Sequence, residues 1–514
     1  MNGPVVRQPE GGQEPRAALS RRRFLAGAGG GLAALALAGL AGYEWPHGHR
    51  PVTAGEGSGH PSATPLRFVS RPDLKPPRVR VDQVAPGPAG PGYIFLAART
   101  YLPVSDSEPG LMVLDRRGEL VWFKPMPSLA PFDLQVQSYR GRPVLTWWQG
   151  KVVNGYGLGT GQLAGTHYQD LLTVKAGDGL QADLHELLLT SRGTAFITAF
   201  GHVVTDLSSL GGPSKARVLT GHAQEVDLAS GKVLMDWDSY RHIGIDETYQ
   251  RYSAPGPFDY FHINSVAEAP DGNLIISARN TWAIYKIDRV SGDVIWRMNG
   301  RRSDFKMGPA SNFYWQHDAR PHGHNLMTVF DDGGSPDEER RSRGLLLGVD
   351  EAARDVRLLR AFEHPAGFIA ANQGNVQLLA DGRAFVGWGN QPYFTEFSAG
   401  GELLLDGELP LGYHSYRAYT QDWAAVPAEP PALAVKANPA GGSVAYASWN
   451  GSTALARWVV LAGATAGSLS EVGAQPRTGF ETAVAVNSAG PFFAVVALDG
   501  AGGELARSRP VKPA

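Results

Sequence analysis

Val266-Ala267-Glu268-Ala269-Pro270-Asp271-Gly272-Asn273-Leu274-Ile275-Ile276-Ser277 is followed, a short way on, by Ile287-Asp288-Arg289-Val290-Ser291-Gly292-Asp293-Val294-Ile295-Trp296. Each stretch is an apolar run, a turn containing Asp and Gly, and a second apolar run. Asp closes a tight turn with its own side chain, and Gly accepts the positive φ that such turns require. Each stretch therefore predicts a β-hairpin, and two hairpins in series predict a four-stranded antiparallel sheet. The first hairpin recurs at Leu187-Leu188-Leu189 to Gly193-Thr194-Ala195-Phe196-Ile197 and at Val376-Gln377-Leu378-Leu379 to Asp381-Gly382-Arg383-Ala384-Phe385-Val386. The second recurs at Val113-Leu114-Asp115 to Gly118-Glu119-Leu120-Val121-Trp122, at Val226-Asp227 to Leu234 with Trp237 beyond, and in weaker form at Phe397 to Leu404. A sheet unit repeated every ~40–60 residues predicts propeller blades. Residues 66–415 have room for six of them.

The rest of the chain divides around this region. At 514 residues, with 64 Gly and 37 Pro, it is rich in turns and long enough for a large domain and a smaller one. Ser20-Arg21-Arg22-Arg23-Phe24-Leu25, followed by an apolar run to Gly42, matches a twin-arginine export signal. Residues 1–42 are expected to be that signal, or a membrane anchor formed by 24–42 if it is retained, placing the protein outside the cell or at its surface. Residues 43–65 read as a disordered linker. Residues 416–431, with Ala428-Glu429-Pro430-Pro431, read as a second linker. Residues 432–514 read as a small immunoglobulin- or fibronectin-like β-sandwich around Trp449 and Trp458. The expected fold class is all-β throughout. There is no cysteine and the formal net charge is −2. Disulfides and thiolate chemistry are excluded, and nothing in the charge calls for a nucleic acid.

Three histidines fall at equivalent points of successive units. His185 and His262 lie just before the first hairpin of their units, and His317 precedes Gly323-His324-Asn325-Leu326-Met327-Thr328-Val329. First strands of propeller blades line the centre, so three imidazoles are expected to meet there. A metal is one reading of three histidines. Asn264, two residues from His262 and on the same strand face, and Arg279 argue for an oxyanion instead, because an amide and a guanidinium donate hydrogen bonds. Asp318 follows His317 directly and would face the other way. Tyr260, Phe313, Tyr314, Trp315 and Trp388 are candidates to hold an aromatic ring, Tyr314 and Trp315 foremost. Asp331-Asp332-Gly333-Gly334 reads as a solvated turn, without the ligand spacing of a calcium loop.

The ordered set Asp183-Leu184-His185-Glu186, His262-Ile263-Asn264-Ser265, Ser277-Ala278-Arg279-Asn280, Trp296-Arg297 with Gly300, and Gln316-His317-Asp318 resembles the bacterial arylsulfate sulfotransferases. Ser70-Arg71-Pro72-Asp73-Leu74-Lys75-Pro76-Pro77 and Leu145-Thr146-Trp147-Trp148-Gln149-Gly150 resemble the branch with an appended sandwich domain. The resemblance implies a six-bladed propeller and transfer, without nucleotide-sulfate donor or cofactor, from a phenolic sulfate to an acceptor phenol. It makes His317 the covalent carrier in a ping-pong cycle, with His185, His262, Asn264 and Arg279 around the transferred group. The better-known branch carries cysteines, and this chain does not. Two other readings stay open at this point: a non-catalytic propeller binding anionic or sulfated ligands at the cell surface, and a metal- or quinone-dependent oxidoreductase.

Overall fold

The apolar runs form strands along the whole chain. The computed structural model describes residues 64–84, 92–101, 106–253, 256–334 and 338–513. The signal or anchor expected in 1–42, and all but the last residues of the linker expected in 43–65, lie outside them. Among the described residues the protein is all-β, with helix confined to short turns such as Ser239–His242, and no helix is long and apolar enough to cross a membrane.

Strands Ile263–Glu268 and Leu274–Ala278 pair with Glu268 opposite Leu274, and Gly272 takes a φ of 84° in their turn. Strands Ala283–Ile287 and Val294–Met298 make the second hairpin, with Gly292 at 79°. Pairing of Leu274–Ala278 with Ala283–Ile287 joins the two into a four-stranded antiparallel sheet. The same succession recurs from Ala130–Tyr139 to Asp170–Val174, from Ala182–Leu189 to Val233–Asp238, from His317–His322 to Asp355–Phe362, and from Asn375–Leu378 to Leu403–Glu408. The first two of these join edge to edge through Gly159 and Ala182.

Tyr93–Thr100, Gly110–Leu114 and Leu120–Pro125 are three strands of a further sheet. Its next strand, Ala418–Gln421, comes from the other end of the region and pairs with Tyr93–Leu96. The expectation of a linker over 416–431 is therefore corrected at its start. Ala418-Tyr419-Thr420 is buried against the edge of Tyr93–Thr100, and the Ala- and Pro-rich composition that signals a linker begins only after it. Arg80–Gln83 makes the reciprocal long-range pairing, with Leu403–Glu408.

The first strands lie side by side. Tyr93–Thr100 touches Ala130–Tyr139, which touches Ala182–Leu189, then Ile263–Glu268, His317–His322 and Asn375–Leu378 in turn; Ala418–Gln421 lies against Ala384–Gly387. Ion pairs bind several of them together. Arg417, 0% exposed, reaches Asp133 at 3.0 Å, Glu186 at 3.3 Å and Asp318 at 3.3 Å, and donates to the carbonyl of Asn264. Arg320 adds bonds to Glu186 at 2.6 Å and Asp318 at 2.8 Å. Backbone irregularity supplies these carboxylates. The pairing register slips between Phe132 and Gln135 and between His317 and Arg320, and Asp133 and Asp318 take φ of 56° and 55°. Such bulges re-aim side chains that strict alternation would send elsewhere.

Residues from Ala432 onward form a three-stranded and a four-stranded antiparallel sheet around a core that includes Trp449 and Trp458. Asn450 donates to the Phe123 carbonyl and accepts from the Phe123 N–H, both at 2.9 Å, so its amide occupies the outer edge of Leu120–Pro125. Glu481 accepts the backbone N–H groups of Val69 and Ser70.

Removing Arg417 takes the paired cation from buried Asp133 and leaves Glu186 and Asp318 to Arg320. Arg417→Met should lower stability by about 3–5 kcal/mol, read as a fall in the denaturant midpoint. An unchanged midpoint would show that the ion-pair cluster does not hold the first strands together.

Candidate functional site

His185 lies within Ala182–Leu189, His262 directly precedes Ile263–Glu268, and His317 opens His317–His322. Their rings converge. The centroids of His185 and His262 are 5.0 Å apart and edge to face, and those of His185 and His317 are 6.4 Å apart. Register slips between Ile263 and Ser265 and between Ile197 and Ala199 lie beside them, and His262 itself has a φ of 55°.

Each ring is held through Nδ1 by its own carboxylate. Asp183 meets His185 at 2.5 Å, Asp259 meets His262 at 2.5 Å, and Asp332 meets His317 at 2.8 Å. A carboxylate on Nδ1 fixes the ring's orientation and leaves Nε2 as the working nitrogen. At His317 the tautomer is set from both sides. The backbone N–H of Gln373 points at Nε2 from 3.3 Å, so Nε2 carries the lone pair and Nδ1 donates its proton to Asp332. Burial drives the His317 pKa well below that of an ordinary imidazole, and the charges of Arg279, His185 and His262 push the same way. Burial also raises the Asp332 carboxyl, with Arg279 opposing it; the Gln373 contact keeps the shared proton on Nδ1. His185 is likewise lowered by burial, with Asp183 acting against the shift. Asp183 is held low despite burial by His185 and by the N–H groups of Gly157 and His185.

The structure brings the other expected residues to this place in different ways. Arg279, at the end of Leu274–Ala278, donates to Asn280 Oδ1 and to the Ala371 carbonyl, and its guanidinium lies 4.8 Å over the ring of Trp315. Trp315 is thus buried beneath Arg279 and supports it. Tyr314 is half-buried and meets Trp282 edge to face. Tyr260, Phe313 and Trp388 belong to the core. Asn264 is buried and donates to the Gln316 carbonyl at 2.7 Å, which ties the strand of His262 to the residue before His317. Asp318 turns away from His317 to Arg320 and Arg417. The reading of Asp331-Asp332 as a solvated turn is corrected: both side chains are buried, Asp331 on Arg343 and Asp332 on His317. Apolar Val329-Phe330 immediately before them continues the strand inward, and the Asp-Gly composition masks this.

Several residues here carried no signal in the sequence. Gln373, at φ 70°, brings its N–H to His317. Tyr416 places its ring 5.7 Å from His185 and 6.4 Å from His317. Asp183 and Asp259 stand two and three residues before their histidines, a spacing that is visible in retrospect. Among the described residues no group of three His, Asp or Glu side chains is disposed to hold a metal ion. The arrangement offers a neutral nitrogen nucleophile, two further carboxylate-oriented imidazoles, and a guanidinium beside them.

The family described as Arylsulfotransferase (ASST) matches residues 135–409. No curated protein matches the chain. Among solved structures, a protein of unknown function from Bacteroides caccae is 11% identical, with a TM-score of 0.39 over 65% of this chain and 100% of that one. A protein from Lactobacillus plantarum is 13% identical, with a TM-score of 0.34 over 76% and 97%. Virginiamycin B lyase from Staphylococcus aureus is 9% identical, with a TM-score of 0.32 over 65% and 99%.

Nitrogen-15 NMR of labelled histidine should find His317 neutral, with its proton on Nδ1, at pH values below the ordinary imidazole pKa of about 6.5. In Asp332→Asn the ring should lose that single tautomer. A wild-type His317 that titrates at or above 6.5 contradicts the assignment.

Proposed function

We propose that this chain, which belongs to the arylsulfotransferase (ASST) family, moves a sulfuryl group from a phenolic sulfate ester to an acceptor phenol through a sulfohistidine on His317. The observation that carries the proposal is the environment of His317: a buried, neutral ring whose Nδ1 is anchored by Asp332, whose Nε2 keeps its lone pair under the Gln373 N–H, and which lies 6.4 Å from the His185 ring.

In the first half-reaction Nε2 of His317 attacks sulfur, the bond from sulfur to the aryl oxygen breaks, and the phenolate leaves. A phenolate is a poor leaving group at neutral pH because phenol has a pKa near 10. Protonation by a neighbouring imidazolium offsets this. We assign that role to His262, whose side chain is 13% exposed against 3% for His185 and 2% for His317, and whose Nδ1 is held by Asp259. In the second half-reaction an acceptor phenol gives its proton to His262, its oxygen attacks sulfur, and the nitrogen–sulfur bond breaks. Atoms and charge balance over the cycle, with no nucleotide sulfate and no cofactor. Arg279 stabilises charge on the sulfuryl oxygens, which carry it in a loose transition state, and His185 packs beside His317 to bound their position. Asn264 acts through Gln316 to fix where His317 begins.

The finer reading of the fold belongs to the same proposal. Six sheets whose first strands touch in sequence, from Tyr93–Thr100 round to Asn375–Leu378 and back through Ala418–Gln421, support a six-bladed propeller carrying a small C-terminal sandwich. Export by the twin-arginine route to the cell exterior, with 24–42 as signal or anchor, rests on Arg21-Arg22-Arg23-Phe24-Leu25.

Transfer from a chromogenic aryl sulfate, with and without an acceptor phenol, tests the activity. Release of the chromophore should depend on acceptor, His317→Ala should abolish it, and alkaline-quenched digests should carry a sulfuryl adduct on the His317 peptide. Arg279→Ala should cost about 10²–10³ in kcat. Binding without product would favour a non-catalytic anion-binding domain. A depressed His317 pKa keeps the nucleophile unprotonated as pH falls, so kcat/KM should show no acid-side loss at about 6.5 and such a loss only below it. An acid limb at or above 6.5 would contradict His317 as the nucleophile in this state.

A further inference from the structure

Arg99 stands beside this pocket as a buried cation that meets no counter-charge among the described residues. It is in strand Tyr93–Thr100, opposite His414, and is 8% exposed. Its guanidinium lies 4.1 Å from the ring centre of Phe132 and 4.8 Å from that of Tyr101. Arg116, Arg343 and Arg417 are also buried, and each meets at least one carboxylate. Arg99 meets none among the described residues; the Tyr101 hydroxyl is its polar support. An unpaired buried charge is costly and calls for a partner. Beside it, the His414 ring stacks on Tyr101 at 4.2 Å, is 1% exposed, and has an Nε2 with no hydrogen-bond partner. A guanidinium supported by one phenol hydroxyl and an imidazole nitrogen with no partner among the described residues thus lie side by side. Tyr101 itself is exposed, which opens the group to solvent.

The group connects to the reacting histidines. The Gln373 side chain donates to the Tyr101 hydroxyl at 2.7 Å while its backbone N–H points at His317 Nε2. Phe132 packs 5.6 Å from Tyr416, whose ring faces both His185 and His317. Two residues on one side, Tyr101 and Gln373, and two aromatic rings on the other, Phe132 and Tyr416, separate Arg99 from the site of transfer.

We propose that Arg99 and His414 form a second anion subsite, which receives the carboxylate of an aromatic substrate whose phenolic oxygen or sulfate ester lies at His317. The guanidinium edge offers paired N–H donors matched to a carboxylate, and His414 Nε2 offers a further donor. The identity of the reacting end rests on the sulfuryl-transfer reading; the anion subsite rests on Arg99 and His414. Donor and acceptor pass through one pocket in turn, so either can carry the carboxylate.

The test compares transfer from nitrophenyl sulfate to hydroxybenzoates and hydroxyphenylacetates with transfer to cresol, and, as a separate arm, carboxyphenyl sulfate with nitrophenyl sulfate as donor. At least one carboxylated member should exceed its neutral match in kcat/KM by about tenfold or more in the wild type. That ratio should collapse toward one in Arg99→Leu, through KM, and stay intermediate in Arg99→Lys. Which arm shows the preference identifies the anionic partner. Calorimetric titration of the same carboxylates should show binding weakened by Arg99→Leu. A wild-type ratio near one in both arms, or losses in Arg99→Leu equal for charged and neutral substrates, overturns the subsite. No transfer with any pair, but binding that still depends on Arg99, overturns the sulfuryl-transfer reading and leaves the subsite standing.

Discussion

A guanidinium with no water around it has to be answered by protein, and Arg417 is answered from several directions at once. Asp133, Glu186 and Asp318 come from three different first strands, and the Asn264 carbonyl comes from a fourth. Taking these charges out of water is expensive, and mutual attraction repays it only when the geometry is held closely. The cluster therefore acts as a gauge of position. A first strand that shifted by one residue would withdraw its carboxylate and expose the remainder to an unbalanced buried charge. Glu186 follows His185, Asp318 follows His317, and Asn264 is two residues from His262, so the gauge that spaces the strands also spaces the histidines.

That coupling explains how a polar pocket is held in an apolar interior. Each imidazole is oriented from behind by one carboxylate, and the carboxylates arrive from different places: two residues upstream for His185, three upstream for His262, and the far end of the neighbouring hairpin strand for His317. Burial and nearby positive charge favour the neutral ring at His185 and His317, and at His185 the Asp183 carboxylate acts against the shift. His317, with the most buried side chain and Arg279 nearest in effect, is the most strongly depressed. A ring in that condition is a base with a lone pair and little proton affinity, which suits attack on sulfur.

How much of this was legible in the sequence follows from the range of each signal. Hairpins at Gly272 and Gly292 were legible because a turn is local: Asp and Gly, with apolar runs on either side, determine it. The convergence of His185, His262 and His317 was legible because repetition carries position across units. Asp332 was misread because Asp-Asp-Gly-Gly has the composition of a solvated turn, and only the tertiary packing reveals that both carboxylates are buried. Tyr416, Arg417 and Gln373 were invisible because their meaning is entirely long-range. Trp315 was recognised as an aromatic near the site, yet its place beneath Arg279 depends on a left-handed backbone, φ 59°, that sequence pattern does not announce.

The pairing of Ala418–Gln421 with Tyr93–Leu96 has a consequence in time. A chain emerging from synthesis displays His185, then His262, then His317, each with its own carboxylate close by in sequence or within one hairpin. None of them is yet part of a finished pocket. Tyr416 and Arg417 arrive last, and until they do the carboxylates of Asp133, Glu186 and Asp318 repel one another with Arg320 as the only cation of the cluster. The final strand thus acts as a latch, and the molecule moves from a partly assembled state to a competent one over the last few residues of the region. Long-range closure of this kind is slow relative to local hairpin formation, so the pairing that completes the cluster is also one that spans most of the length of this region.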